Sequence, residues 1–227
     1  DNTDDLLDQA AALYSYKEVE LGEDGPRSRA DKRPLKVRWM NQQNLAPHPE
    51  TGEFSHPDNP DLTLERVVEK MSKSRGNVVN PDDVIASFGA DSMRLYEMFI
   101  GPLEKAAPWS TDGIQGIYRF LQRCWRLVME EDGDNEKLRP FAKECSTAQA
   151  RLLMQTIKGV TEDIEAMRFN TAISKLMVLV RDIQVDGRIP REAAEKLCLM
   201  LSPLAPHLAE ELWQQLGHEK TLAYEKW

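Results

Sequence analysis

The sequence predicts a mainly α-helical protein: a helical bundle preceded by a small, irregular, partly β segment and by a basic loop with two short helices. From Asn80 onward, apolar residues recur at steps of three and four, which is the period of amphipathic helices. Before Pro60, glycine and proline are frequent, and apolar residues alternate with polar ones in places, as is typical of short strands and turns. We therefore expect three regions, residues 1–64, 65–111 and 112–227.

The first region is expected to contain two half-buried strands, Tyr16–Leu21 and Leu35–Met40, because polar and apolar residues alternate in both. Clusters of breaker residues around these strands exclude long helices. His48 and His56 each precede a proline in one such cluster. Since a metal site would need further ligands close by, we expect both imidazoles to face solvent in a loop.

Local signals set the expected helix ends. Asn80 is followed by a proline and two aspartates, which predicts a capped helix start, and Gly89 is expected to end that helix in a left-handed conformation. A second short helix is expected over Ala90–Ile100, and the rest of the chain is expected to be helical throughout, with the acidic run Glu130–Glu136 as a solvated turn. The bundle helices are predicted over Asp112–Glu130 and Ser146–Met167, after a cap at Asn170, from Pro190, and through Leu208, Leu212 and Leu216.

The tryptophans of the helical region are expected in different environments. Trp125 and Trp213 lie on apolar stripes and are expected in the core. Trp109 follows a proline and would either offer a base-stacking platform or pack the connecting segment against the bundle, and we favour packing. Ser110 or Thr111 is expected to cap the next helix.

The composition restricts the class of protein. The 227 residues include 29 Lys and Arg against 38 Asp and Glu, which gives a formal net charge of -9. This balance argues against a protein that coats nucleic acid with its whole surface, but it leaves room for a local basic face. No apolar run is long enough to span a bilayer and no charged-then-apolar leader marks secretion, so no membrane partner is expected.

The three cysteines and the first residue bear on the origin of the chain. Cys124, Cys145 and Cys198 form no Cys-x-x-Cys pair and have no histidine near them in sequence, so we expect buried, reduced thiols in a cytosolic protein and no metal site. The chain begins with Asp1. We therefore expect it to be a piece of a longer polypeptide.

The segment Glu69–Pro81, EKMSKSRGNVVNP, concentrates positive charge in this acidic chain. Its serines and Gly76 disfavour a helix, so we expect a mobile loop. Lys70 and Lys73 carry compact ammonium groups on flexible stems, which suit phosphates whose charge changes during a reaction. From composition alone, however, a solvated basic turn is the more common explanation of such a run.

The order of residues in this loop adds a resemblance. KMSKS matches the signature of the class I aminoacyl-tRNA synthetases, and RGNVVNPDDVIASFGADSMRLY resembles the segment after that signature in their leucyl, isoleucyl and valyl branch. Residues 98–127 resemble the leucyl enzymes' segment between this loop and the helical domain, and residues 168–180 and 201–217 resemble helices of that domain. The strand-like segment before the loop fits the leucine-specific insertion that many bacterial leucyl enzymes carry there, whereas residues 1–11 have no assigned counterpart.

The resemblance implies a leucine–tRNA ligase that uses ATP, with Mg²⁺ as part of that substrate, and forms leucyl-adenylate before transfer to a leucine-type tRNA. It implies a cytoplasmic enzyme in which Lys73 and Lys70 are catalytic, because they stabilise the departing pyrophosphate. The implied ATP-binding residues are Lys70, Met71, Ser72, Lys73 and Ser74. The helices after the loop would be stem-contact helices, and residues 112–227 an anticodon-binding type of helical bundle.

The resemblance also implies missing parts. None of the four histidines belongs to the His-Ile-Gly-His motif that holds ATP in the family's nucleotide-binding half. That half, the editing domain and the C-terminal domain are expected in the remainder of the polypeptide, so the piece alone should not form leucyl-adenylate. Two alternatives remain: an isoleucyl or valyl enzyme, which the connecting segment GPLEKAAPWST disfavours, and a stand-alone RNA-binding helical module.

Three arginines, Arg119, Arg123 and Arg126, share one face of the helix predicted over Asp112–Glu130, away from its apolar stripe. Guanidinium groups bind phosphates through paired hydrogen bonds, which makes this face a candidate contact for the tRNA backbone. A solvated helix face explains the pattern equally well.

Overall fold

The structure, a computed structural model, describes residues 16–36, 45, 47–48, 51–65, 70–73, 77–133, 135–184 and 188–227. The chain divides into two compact units, Asp1–Val79 and Asn80–Trp227. The described part of the first unit is irregular and β-rich, and the second unit is built mainly from helices. The predicted fold class is thus confirmed.

Two antiparallel hairpins form the regular part of the first unit. In one, β1 (Val19–Gly22) pairs with β2 (Gly25–Ser28) across a tight turn, where Gly25 has φ +116°. In the other, β3 (Phe54–His56) pairs with β4 (Asn59–Leu64) across a turn that contains Pro57. The sequence indicated only breaker clusters where the second hairpin lies. The hairpin was not predicted because its strands are short and one of them carries a proline.

The two predicted strands fare differently. A turn of 3-10 helix covers Tyr16–Glu18, so the strand predicted over Tyr16–Leu21 begins only at Val19, which pairs with the last residue of β2. Leu35 and Lys36 belong to no strand. The rest of the strand predicted over Leu35–Met40, residues 37–40, lies outside the described residues.

The second unit opens with two short helices whose ends follow the local signals. The Asn80 side chain accepts a hydrogen bond from the Asp82 backbone N–H at 3.2 Å and caps α1 (Pro81–Phe88). Gly89 has φ +83° and ψ 156°, so its φ is positive as expected but its conformation is not the left-handed helical one. Helix α2 (Ala90–Phe99) follows at once.

Helix α3 (Thr111–Val128) begins at a Ser110 cap and buries the predicted apolar stripe apart from Trp125. The expectation of continuous helix beyond it is wrong. A hairpin of β5 (Met129–Asp132) and β6 (Asn135–Leu138) replaces the predicted solvated turn over Glu130–Glu136. Cross-strand pairing of Lys137 with the carboxylates of β5 offsets the negative charge that these strands carry.

Four further helices complete the described part of the bundle. Ser146 and Gln149 form a reciprocal capping box at the start of α4 (Thr147–Glu165). Helix α5 (Phe169–Asp182) begins one residue before Asn170, so the predicted Asn170 cap is wrong. Pro190 precedes α6 (Arg191–Leu201), and α7 (Pro206–Gln215) is the last helix. Val160 of α4 and Leu212 of α7 are fully buried. Further large buried side chains come from α2, α3, α5 and α6 and from the links after α5 and α6: Leu95, Ile114, Ile117, Phe120, Ile173, Leu176, Leu179, Ile183, Leu197, Met200, Leu201 and Leu204.

The two tryptophans predicted in the core differ. Trp213 is buried, as expected. Trp125 is only half-buried, and its indole Nε1 donates to Glu136 Oε1 at 2.8 Å on the hairpin. Two four-residue steps from Ile117 rotate the side-chain direction by about 80°, which moves Trp125 off the centre of the apolar stripe. The prediction of a core Trp125 is therefore wrong.

A carboxylate joins α4 to α5 where the chain reverses between them. The Asp163 side chain is 3% exposed. It accepts hydrogen bonds from Arg168 Nε at 3.0 Å and from Lys175 Nζ. Burial alone would raise the pKa of the Asp163 carboxyl, but hydrogen bonds from Lys175, Thr171 and Arg168 together hold it below its ordinary value.

Replacing Asp163 with asparagine is expected to lower the free energy of unfolding by about 2 kcal/mol at pH 7, because hydrogen bonds to a charged acceptor are lost. The lowered pKa of Asp163 stabilises the folded protein at pH values above the ordinary aspartate pKa of about 3.9. This stabilisation is lost as the pH falls through the pKa that Asp163 has in the folded protein. The difference between wild type and Asp163→Asn should therefore shrink in acid. Urea unfolding at pH 7 and at about pH 3 measures it.

Glu162→Gln is the matched control, since that neighbouring carboxylate is exposed and lies 3.8 Å from Lys158. It should change stability by less than about 0.5 kcal/mol. Equal destabilisation by Asp163→Asn at both pH values would contradict the role of its charge.

Candidate functional site

The lysine loop, residues 70–77, is held by one asparagine. Asn77 Oδ1 accepts a hydrogen bond from the Ser72 backbone N–H at 2.8 Å, and its Nδ2 donates to the Lys70 carbonyl at 3.4 Å. Through these two bonds the Asn77 side chain ties the backbone at Lys70 and at Ser72. Of the residues predicted to bind ATP, Ser74 lies outside the described residues.

The cations of the lysine loop remain available to a ligand. Lys70, Met71 and Lys73 are exposed, and Ser72 is half-buried. Within the described part of the chain, neither lysine forms an ion pair with a carboxylate. Two ammonium groups on long stems, attached to a backbone that Asn77 constrains, form an arrangement that can neutralise a polyphosphate.

Sequence reasoning did not identify the role of Asn77. A signal was present, because asparagine after glycine in a polar loop commonly hydrogen-bonds to nearby backbone groups. The sequence could not show which backbone groups it would bind, since the Ser72 amide lies five positions earlier in the chain.

The arginine face lies on α3 as predicted, and Arg119, Arg123 and Arg126 are all exposed. The structure separates them, however. Arg123 and Arg126 line a groove of about 480 Å³, and Arg119 does not. Two arginines that the sequence did not single out, Arg139 and Arg181, line the same groove. They are distant in sequence from α3, so only the tertiary fold brings them there.

Trp109 packs within the helical unit. Its ring meets Tyr96 edge-on, with ring centroids 5.0 Å apart. The Tyr96 hydroxyl accepts a hydrogen bond from the Ser110 backbone N–H at 2.8 Å, and a Cβ on Gly113 would come within 2.6 Å of the Tyr96 ring. Trp109 therefore belongs to a close contact between α2 and the start of α3, which supports the packing role.

The histidines have hydrogen-bonding partners in the described part of the chain. His48 and His56 each accept a backbone N–H through Nδ1, from Thr51 at 3.4 Å and from Asp58 at 3.2 Å. His207 Nδ1 lies 2.8 Å from Asp91 Oδ1 at the start of α7. Among the residues that the structure describes, no group of three or more His, Cys, Asp or Glu side chains is placed to hold a metal ion.

The cysteines are free thiols, and two of them are buried. Burial raises the pKa of Cys198 to about 12 and raises the pKa of Cys124 further still, so both stay protonated and unreactive. Cys145 is half-exposed and precedes α4, so the expectation that its thiol is buried is wrong. No helix in the described parts of the chain is both long and apolar enough to cross a membrane.

Two family models match separate parts of the chain. Residues 60–110, which include the lysine loop, match the model of class I tRNA synthetases (I, L, M and V). Residues 150–227, which span α4 to the last residue, match the anticodon-binding domain of tRNA ligase. Helix α3 and the β5–β6 hairpin fall between the two matches.

Similar proteins point to one branch of this class. Leucine–tRNA ligase 1 of Rhizobium johnstonii is 52% identical over 168 residues, which cover 73% of this chain and 20% of that protein. Leucine–tRNA ligase of Leptospira biflexa is 51% identical over 155 residues, which cover 68% of this chain and 18% of that protein. The chain thus spans about a fifth of the length of these relatives.

A solved structure agrees with the sequence relatives. It is a ternary complex of Agrobacterium radiobacter K84 agnB2 LeuRS with tRNA and LeuAMS, with a TM-score of 0.58 and 30% sequence identity. The match covers 70% of this chain and 22% of that one. By its loop, its helical unit and these matches, the chain belongs to the class I aminoacyl-tRNA synthetases. Within that class it corresponds to a section of the leucine–tRNA ligases.

Replacing Asn77 with alanine is expected to loosen the lysine loop, because the Ser72 amide loses its acceptor. The amide of Ser72 should then exchange with deuterium about tenfold faster, which corresponds to about 1.4 kcal/mol. Hydrogen exchange of the loop, measured by NMR or mass spectrometry, tests this. Asn77→Asp keeps an acceptor oxygen in place and should retain the protection, whereas equal exchange in Asn77→Ala and wild type would show that the bond does not hold the loop.

Proposed function

We propose that this chain forms part of an ATP-dependent leucine–tRNA ligase, in which it supplies the ATP-phosphate-binding loop and the tRNA-binding helical domain. The observation that carries the proposal is the lysine loop, whose two exposed lysines stand in a KMSKS sequence within the part that matches the class I synthetases. The identity to leucine–tRNA ligases supports leucine as the amino acid.

The proposed chemistry is electrostatic. In the first reaction, the carboxylate of leucine attacks the α-phosphate of ATP and pyrophosphate leaves, so negative charge grows on the leaving group. Lys73, with Lys70, would stabilise that charge in the transition state without forming a covalent intermediate. Met71, Ser72 and Ser74 would complete the contacts to ATP, which is bound with Mg²⁺ as the substrate. The adenylate then transfers leucine to the tRNA terminus.

The proposed division of labour follows the chain. Residues 1–64 would form an insertion, residues 65–111 the KMSKS loop and stem-contact region, and residues 112–227 the helical bundle that binds leucine-type tRNA. The nucleotide-binding, editing and C-terminal domains would be supplied by the remainder of the same polypeptide, since the match covers only about a fifth of each relative. We propose a cytoplasmic location, consistent with the free thiols.

The alternatives have less support. An isoleucyl or valyl enzyme is not favoured, because the two relatives described above, at 52% and 51% identity, are leucine–tRNA ligases. A stand-alone RNA-binding module would not need the lysine loop. It would also predict tight, salt-sensitive RNA binding by the 227 residues alone, whereas a section of a synthetase should bind weakly.

Replacing Lys73 with alanine in a leucine–tRNA ligase that contains this chain should slow adenylate formation by about 100-fold or more, because charge on the leaving pyrophosphate is no longer neutralised. Leucine affinity should change less than about threefold, since leucine does not carry that charge. ATP–pyrophosphate exchange and calorimetric titration of leucine measure the two effects. Lys105→Ala, an exposed lysine in the helical unit, is the control. Equal losses in rate and in leucine affinity would exclude a role in the transition state.

Replacing Arg119, Arg123 and Arg126 together with glutamine should weaken tRNA binding and make its dependence on salt less steep, by about one unit of slope for each phosphate contact removed. Fluorescence anisotropy with a leucine tRNA transcript at several KCl concentrations measures both. Arg151→Gln, an exposed arginine on α4, is the control. Unchanged affinity of the triple variant at low salt would eliminate this face as a contact.

A further inference from the structure

Four guanidinium groups from three elements line one groove of the helical unit, the arginine groove. Arg123 and Arg126 come from α3, Arg139 follows β6, and Arg181 lies in the last turn of α5. The other lining residues are apolar apart from Gln184, and no lining residue is acidic. A neighbouring groove of about 610 Å³ shares Arg126 and Arg139 with it but also contains the carboxylates of Asp91, Glu130, Glu131 and Glu136. The arginine groove is therefore distinguished by its charge.

The fold holds one of these arginines in place through the hairpin. The Arg139 backbone N–H donates to the Val128 carbonyl at 2.8 Å, and its Nη1 donates to the Arg126 carbonyl at 2.9 Å. These two bonds attach the end of β6 to the last turn of α3. They bring Arg139 beside the two helix arginines, although it lies 13 residues beyond Arg126 in the chain.

The arginines differ in their existing partners. Arg181 pairs with Asp182 through two hydrogen bonds of 2.6 and 2.7 Å, and Arg139 Nε lies 3.7 Å from Glu130. Arg123 and Arg126 form no ion pair with any residue in the described part of the chain. Four cations thus meet two carboxylates, both of which belong to residues outside the groove lining. The groove keeps an excess of positive charge in a partly apolar setting, where an anion gains more than it would in open water.

We infer, on the basis of the proposed function, that the arginine groove binds consecutive backbone phosphates of the tRNA. Arg139 and Arg181 are then further tRNA contacts. The planar forks of four guanidinium groups match phosphate oxygens. Arg123 and Arg126 lie about 4.5 Å apart along the helix axis, which is close to the spacing of about 3.4 Å between successive phosphates of a nucleic acid strand. Neither family-model match covers α3 or the hairpin, whereas the α5 side of the groove, with Arg181, lies within the match to the anticodon-binding domain of tRNA ligase.

Asp182 and Glu130 would compete with the RNA phosphates for the groove arginines. Each carboxylate occupies a guanidinium group that phosphate would otherwise bind, and each adds negative charge at the groove rim. Removing the charge of Asp182 should therefore strengthen RNA binding. This direction is informative because a misfolded variant loses affinity and does not gain it.

The experiment uses a leucine–tRNA ligase that contains this chain and measures binding of a labelled leucine tRNA transcript by fluorescence anisotropy between about 50 and 200 mM KCl, a range over which phosphate contacts lose most of their affinity. Asp182→Asn should lower Kd about threefold, whereas Glu162→Gln, which removes an exposed carboxylate on α4, should leave it unchanged.

Arg139→Gln and Arg181→Gln should each raise Kd about tenfold and make the salt slope less steep by about one unit. Arg139→Lys should retain part of the affinity, because it keeps the charge and loses the fork. Arg151→Gln is the neutral control.

Each outcome decides a different point. If wild type binds tRNA and the groove variants match their controls, the groove is excluded and the proposed function stands. If wild type does not bind tRNA even at the lowest salt concentration, both the groove and the proposed tRNA contact of this unit are overturned. Backbone contacts carry no sequence information, so a second, unrelated tRNA should lose affinity in the same proportion. If poly-glutamate competes as well as RNA, an acidic protein segment replaces RNA as the occupant.

Discussion

The helical unit depends on the burial of one face of α3. Its apolar residues, among them Ile114, Ile117 and Phe120, are almost wholly removed from solvent and pack against α2, α5 and α7. Because a helix repeats every 3.6 residues, the same spacing that buries these side chains forces Arg119, Arg123 and Arg126 onto the opposite side. The core and the cationic surface are therefore two results of a single constraint. A change that rotated α3 to bury a different face would remove both.

The end of α3 shows how a local requirement creates a non-local site. The last carbonyls of a helix have no partner within it and need one from elsewhere. Here the chain supplies the partners by turning back through the β5–β6 hairpin, so that Arg139 satisfies the carbonyls of Val128 and Arg126. Trp125, at the margin of the apolar face, completes the junction through Glu136. Satisfying the helix end thus also adds a guanidinium group to the surface beside α3.

The sequence was sufficient for the features whose causes are local. The caps at Asn80 and Ser110 follow from side chains next to the helices they start, and the apolar period of α3 follows from spacing alone. The hairpin was missed because MEED and NEKL do not alternate apolar and polar residues, although Asp132-Gly133 between them is a turn signal, and Gly133 has φ +65°. The loop lysines were identified, but the hydrogen bonds of Asn77 were not. Arg181 could not have been assigned to the groove, because only the packing of α5 near α3 brings it there.

Two kinds of cationic surface occur in this acidic chain, and their chemistry differs in a way that fits the proposed roles. The loop uses lysines, whose point charges on flexible stems can follow a phosphate as its charge changes, while Asn77 restrains only the backbone beneath them. The groove uses arginines, whose planar forks suit phosphates that stay in place. With 38 acidic against 29 basic residues, nonspecific attraction to nucleic acid is weak over most of the surface. Local cation clusters then determine where an anion binds, because the surrounding negative charge disfavours the alternatives.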